Sequence, residues 1–224
     1  MTVSLGLYRV VARRSAGIAS VADLKGKRVA TIAQTSSGYF LYRMRQREGL
    51  SFKEIVAVPI IPLSGMTEAL AEGDVDAVVI WEPESENSAR VLGDDLIEFG
   101  GEGVYAEHFD LNTTAANLAD PATRTKIVAF LRAVIDAAAE IRRYPARAKA
   151  LVSAAGGFPP EQVEASWRHH AFVADNPGDL LDILVDEEKW LASQDKRAPR
   201  SRDELAKLID RSAYDEALAI GAQK

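Results

Sequence analysis

Cysteine is absent from these 224 residues, which excludes disulfides, thiolate metal sites and a cysteine nucleophile. Histidine occurs only three times. His169 and His170 are neighbours on an expected helix and so point about 100° apart, unlike the i, i+4 pair that chelates a metal. His108 is remote from both, so the chain offers no expected metal site and calls for no cofactor. Basic charge is not in excess either: the formal net charge is −6, the wrong sign for a surface that neutralises phosphates, and nucleic acid is not an expected partner. No apolar run reaches the roughly 18 residues of a membrane helix. No G-x-S-x-G places a nucleophile, and Gly100, Gly101 and Gly103 are not followed by the Lys-Ser/Thr helix of a phosphate loop. Met1 to Arg14 lacks the early basic residues and apolar h-region of a signal peptide. No export address is therefore expected within the chain as written.

What remains is ordinary globular composition, 47% hydrophobic and 27% charged, with a clear alternation of strand and helix signals. Val3 to Ala12 reads as a strand. Ser20 to Gly26 reads as a helical turn with Asp23 completing a capping box on Ser20. Arg28 to Ala33 is a strand, and Ser36 or Ser37 caps a helix stopping at Gly49. Ile55 to Ile61, nearly continuous in apolar residues, reads as a strand covered on both faces. Ser64 or Thr67 opens a helix ending at Gly73, and Val75 to Trp81 is another buried strand. Strands alternating with short helices imply βαβ units and a mainly parallel sheet.

After the glycine-rich turn and a possible strand at Asn112 to Ala116, the pattern turns helical. Pro121 suits the first turn of a long helix whose Ile127, Phe130, Leu131, Val134, Ile135, Ala138 and Ile141 repeat at three and four, marking a core-facing stripe. Shorter helices follow at 145–155, 160–170, 180–194 and 202–208. The basic stretch from Lys196 to Arg202 reads as a solvated loop.

Two segments lie at carboxyl ends of strands, where open α/β sheets bind ligands. Thr35-Ser36-Ser37-Gly38 combines hydroxyl donors with the free N–H groups and partial positive charge of a helix amino terminus, which suit a sulfonate, carboxylate or phosphate. Gly38 would let a ligand approach the backbone, and Tyr39 could wall the cleft. The plain alternative is N-capping, with Tyr39 packed on its helix. Trp81 and Glu82 end a strand: Trp81 could line a pocket, and Glu82 could take a ligand amine, giving a site for a zwitterion. Their plain roles are core packing and a helix-start acid before Pro83 at N1. Asn112, with Thr113 and Thr114, falls near an expected crossover between lobes, and a polar edge strand is the equal alternative. Ser64-Gly65-Met66 reads more simply as a helix cap.

The run DLKGKRVA, the hydroxyl-rich turn, the Gly49-Leu50 helix end, AL-x-x-GDVDA and WEP together resemble the periplasmic solute-binding proteins of ABC importers. The similarity is to the group for nitrate, sulfonates such as taurine, and thiamine-precursor pyrimidines. ADPATRTKIVAFLRAVIDAA, Trp190-Leu191 and LIDRSAYDEAL extend the resemblance to the carboxyl end. It implies a type II periplasmic-binding-protein-like α/β fold of two lobes. One would span 15–112, with 1–14 and 113–224 forming the other, mostly helical and incomplete at its amino end by a βαβ section of roughly 60 to 90 residues. It further implies a non-catalytic monomer that binds a small anion or zwitterion at Thr35, Ser36, Ser37, Gly38, Tyr39, Trp81, Glu82 and Asn112. Its partner would be the importer's membrane permease, and its place the periplasm if a signal peptide precedes Met1, the cytoplasm otherwise. Biosynthetic enzymes and ligand-sensing proteins on the same fold are the alternatives.

Overall fold

The computed structural model describes residues 2–4, 6–50, 54–175 and 178–221; Leu5, within the expected Val3 to Ala12 strand, lies outside them. The chain divides into two compact units. A sheet unit comprises Ser4–Glu107 and Lys149–Ala171, and a helical unit comprises Met1–Val3, His108–Ala148 and Phe172–Lys224. The lobe boundaries expected at 15 and 112 therefore differ from the observed ones: residues 4–14 belong with the sheet.

The sheet unit is built on five strands in the order β4-β3-β5-β2-β6. They are β2 (Tyr8–Arg13), β3 (Arg28–Ala30), β4 (Val56–Val58), β5 (Ala77–Trp81) and β6 (Leu96–Gly100). The sheet is mixed. Strand β3 runs parallel to both β4 and β5, whereas β2 is antiparallel to both β5 and β6, with Tyr8 opposite Trp81 and Arg9 opposite Gly100. A further pair, β1 (Thr2–Ser4) and β7 (Glu107–Phe109), forms a separate two-stranded ladder.

Side chains alternate across a strand, and the strands here sort their apolar residues into two layers. Val10, Ala12, Val29, Ala77 and Val79 face Phe40, Leu41 and Met44 of helix α1 (Ser36–Arg47). Val11, Ala30, Val78 and Ile80 face Met66 and Leu70 of α2 (Ser64–Glu72) and Ala89 of α3 (Glu84–Leu92). The result is a helix–sheet–helix sandwich with a dry core on each face. Gly73 ends α2 at φ +84°, a left-handed C-cap that L side chains resist. The Ser20–Asp23 capping box closes a 3-10 turn at Val21–Leu24. Strand β4 corrects an expectation: it is the sheet edge, with Val56 52% exposed, because only β3 pairs with it.

The helical unit holds α4 (Ala115–Ala119), α5 (Pro121–Arg143), α8 (Leu180–Gln194), α9 (Arg202–Ala206) and α10 (Ser212–Gly221). The strand expected at Asn112 to Ala116 is a helix start, with the Thr114 hydroxyl accepting from the Asn117 amide. Asp120 caps α5 through the Thr123 amide at 2.7 Å, and Pro121 stands at the first turn, where its missing N–H costs nothing. Of the expected stripe on α5, Ala138 is buried, but Phe130 is 56% exposed and Val128, outside that stripe, takes a core position. Helix α6 (Pro145–Gly156) carries the chain back to the sheet unit, where α7 (Pro160–Trp167) lies. Among the described residues no helix is long and apolar enough to cross a membrane.

Candidate functional site

The carboxyl ends of β3 and β5 and the start of β2 share one edge of the sheet, as their pairing requires. Helix α1 starts there. Thr35 is its N-cap residue, but its hydroxyl is turned away from the helix amides: it donates to the Ile32 carbonyl at 2.8 Å and meets the Ser37 hydroxyl at 2.9 Å. Ser37 is fully buried, also within 3.4 Å of Thr31 Oγ1 and the Ile32 carbonyl. Ser36, half-buried, donates to Glu107 Oε1 at 3.3 Å. The hydroxyl cluster therefore splits into an inward residue that ties the turn to β3 and an outward one, Ser36.

Gly38 has a structural reason rather than the expected ligand-facing one. A Cβ on it would lie 2.1 Å from the Ala33 carbonyl oxygen, so glycine is required for α1 to pack against its own entry loop. Tyr39 is buried in an aromatic group: its ring is edge-on to Tyr105 at 5.5 Å and stacked with Tyr42 at 6.1 Å, and Arg43 donates to its hydroxyl at 3.1 Å. Tyr105 in turn meets Tyr8 at 5.8 Å, and Tyr8 meets the half-buried Trp81 edge-on at 6.1 Å. A chain of ring contacts thus links the two sequence segments singled out above. These pairs favour offset and edge-to-face geometry and make a rigid, amphipathic wall.

Glu82 is engaged by the protein itself. Its Oε1 pairs with Arg9 at 2.6 Å, both side chains 3% exposed, and its Oε2 accepts from Ser166 Oγ at 3.1 Å and the Glu86 amide at 3.3 Å. Burial pushes the Glu82 carboxyl up, opposed by Arg9. Burial lowers Arg9, yet Glu82 and Glu98 outweigh it and leave the guanidinium raised. Arg9 also contacts Glu86 at 3.3 Å and Glu98 at 2.5 Å, so one cation serves three carboxylates. Its neighbour His169 is lowered to about 4, by burial first and then by Arg9 and Arg168, and is neutral near pH 7. The ligand amine expected at Glu82 would meet a carboxylate already paired.

Asn112 lies in the helical unit, exposed on the wall of a groove of about 600 Å³ together with Asp110, Thr113, Leu118, Phe130 and Leu208. It belongs to a different unit from Thr35 to Tyr39, Trp81 and Glu82. Sequence reasoning missed Tyr8, Arg9, Tyr105 and Glu107; an arginine within an apolar strand was the one available signal, and its partners stand 73 and 89 residues away. Among the described residues no group of three or more His, Cys, Asp or Glu could hold a metal ion.

A helix–sheet–helix unit with hydroxyls at the strand ends, joined by several chain crossings to a second unit, has the architecture of a type II periplasmic binding protein. Solved structures agree. The alkanesulfonate-binding protein SsuA of Xanthomonas axonopodis pv. citri, bound to MOPS, matches with a TM-score of 0.62 at 22% identity, over 96% of this chain and 73% of that one. The periplasmic aliphatic sulphonate binding protein SsuA of Escherichia coli matches at 0.65 and 19% identity, over 91% and 68%. The desulfurization enzyme DSZB matches at 0.64 and 16%, over 98% and 78%. At these identities the likeness is one of fold.

The family follows from sequence. The profile of the family described as NMT1/THI5 like matches residues 3–148, and this chain belongs to that family. An Escherichia coli (strain K12) protein named for binding aliphatic sulfonates is 32% identical over 166 residues, 72% of this chain and 49% of that protein. The chain thus spans about half the length of the curated relative it matches.

Proposed function

We propose that this chain acts as the solute-binding component of an ABC importer, taking a small oxyanion such as a sulfonate, nitrate or a related organic anion between two lobes. The observation that carries this reading is the half-buried Ser36 hydroxyl at the first turn of α1, in a chain whose family relatives include a protein named for sulfonates. Free amides and the helix's partial positive charge at that turn favour an anion without a metal or a buried cation. The half-buried rings of Tyr105 and Trp81, backed by the buried Tyr39 and Tyr8, suit the organic part of such a solute. The work done is binding, lobe closure and presentation to a membrane permease, with no bond made or broken. The setting is the periplasm if a signal peptide precedes Met1, and the working form a monomer.

The test is calorimetric titration of the full chain with ethanesulfonate, taurine and nitrate, before and after Ser36→Ala. Loss of a hydrogen bond to a charged group should weaken the best of these by about tenfold or more. Unchanged affinity for every anion bound would sink the reading. The enzymatic alternative on the same fold predicts a changed solute after long incubation; recovery of intact sulfonate argues against it.

A further inference from the structure

Glu107 opens strand β7 and reaches back to the first residue of α1. Its Oε1 accepts from the Ser36 hydroxyl at 3.3 Å, and its Oε2 accepts from the Tyr105 hydroxyl. The carboxylate therefore stands at the end of α1 where unpaired amides and partial positive charge collect. That is the position an oxyanion ligand would seek. A serine hydroxyl has one proton to donate, and in this structure Ser36 gives it to Glu107.

Resting on the binding reading above, we infer that Glu107 is an affinity-setting residue, an intramolecular competitor for the anion position that an incoming ligand must displace. Because it is part of the chain, Glu107 acts at the effective concentration of a tethered group, on the order of millimolar or higher. A free carboxylate is its chemical equal and gains nothing by the exchange, so simple carboxylic acids are turned away. A sulfonate, with a third acceptor oxygen, can engage backbone amides of the α1 turn in addition to the contact it takes over. Tyr105 acts as a positioning residue, since its hydroxyl holds the second carboxylate oxygen.

The experiment compares the full chain with Glu107→Gln and Glu107→Ala, titrating ethanesulfonate, propionate and taurine by calorimetry, with far-UV circular dichroism to establish that each variant is folded. Removing a negative charge a few ångströms from a bound anion should tighten ethanesulfonate by about tenfold, and propionate by a similar factor, because both must displace the same carboxylate. Tyr105→Phe should move both in the same direction by less. In the Ser36→Ala background the gain from Glu107→Gln should shrink, because the two residues compete over one hydroxyl. Unchanged or weaker ethanesulfonate binding in both Glu107 variants overturns the competitor role, while the binding reading stands if Ser36→Ala still weakens anion binding by about tenfold or more. Weakening confined to taurine would make Glu107 an ammonium partner and overturns it as well. If neither the parent nor either variant binds any of the three, both ideas fail together.

Discussion

The two units of this chain are stabilised in different ways. The sheet unit buries apolar residues on both faces of its strands, with Val10, Val11, Val29, Phe40, Leu41, Met44, Met66 and Leu70 all sealed from solvent. Among the described residues the helical unit has one small buried cluster, Val128 with Ala213 and Ala217, where α5 meets α10. Large apolar side chains there stay open: Phe130 at 56%, Leu208 at 67%. Burial of apolar area is the main favourable term in folding, so the sheet unit should set the stability of the chain, while polar ties and helix caps matter more in the helical unit. The Ser36 and Ser37 hydroxyls therefore belong to the more deeply cored unit, which is where the proposed anion site would be best preorganised.

The largest effect that could break this comparison is a cavity in the sheet unit. Phe40→Ala removes a fully buried ring from the α1-facing layer and should cost about 3–5 kcal/mol in urea unfolding. Phe130→Ala, the same change at a half-open position of the helical unit, should cost well under that, about 0.5 kcal/mol. Equal losses at the two positions would mean that the helical unit is as tightly cored as the sheet, and the contrast would fall.

A comparable but smaller effect is expected from the polar centre of the sheet unit. Arg9→Met keeps much of the side-chain volume but leaves Glu82 buried without its cation, and breaking a buried pair from one side costs about 3 kcal/mol. Glu86 and Glu98 lose the same partner. Adding Glu82→Gln to Arg9→Met should restore a good part of the loss, because the uncompensated charge is then gone. A double variant no more stable than Arg9→Met alone would show that Arg9 matters by packing only.

These same groups show how far the sequence could be read. Helix α8 was expected at 180–194 and is found there. The α2 stop at Gly73 and the 3-10 turn capped by Ser20 are local chemistry, and they too were legible. The family and its fold class were visible in short runs around the hydroxyl turn and WEP. What escaped was long-range pairing. Nothing near Tyr8 says that β2 will insert antiparallel between β5 and β6, and nothing near Ile55 to Ile61 says that its strand will be an edge. Glu82 read as an acid available to a ligand because its partner, Arg9, lies 73 residues earlier. Ser36 was legible as a helix-start hydroxyl, whereas Glu107, 71 residues on, was invisible.

The finest test of the comparison is acid. In the helical unit Glu188 is held down to about 2, first by hydrogen bonds from Arg197 and then by the Arg200 amide, which donates at 2.7 Å. These contacts tie α8 to the loop before α9 and supplement the small buried cluster of this unit. A carboxyl whose folded value lies below its unfolded value of about 4.3 contributes its full stabilisation above that unfolded value, and loses it as pH falls from there towards about 2. Glu82 in the sheet unit is shifted the opposite way, so protonating it in the same window does not weaken that unit through the same linkage. Amide exchange followed from pH 5 to pH 2.5, corrected for intrinsic rates, should therefore show α8 and the 195–200 loop losing protection before β2 and β5. Glu188→Gln should flatten that dependence for the helical unit while leaving the sheet unit as it was. Simultaneous loss in both units would mean that they unfold as one cooperative body, and that the difference in how they are cored does not divide their stability.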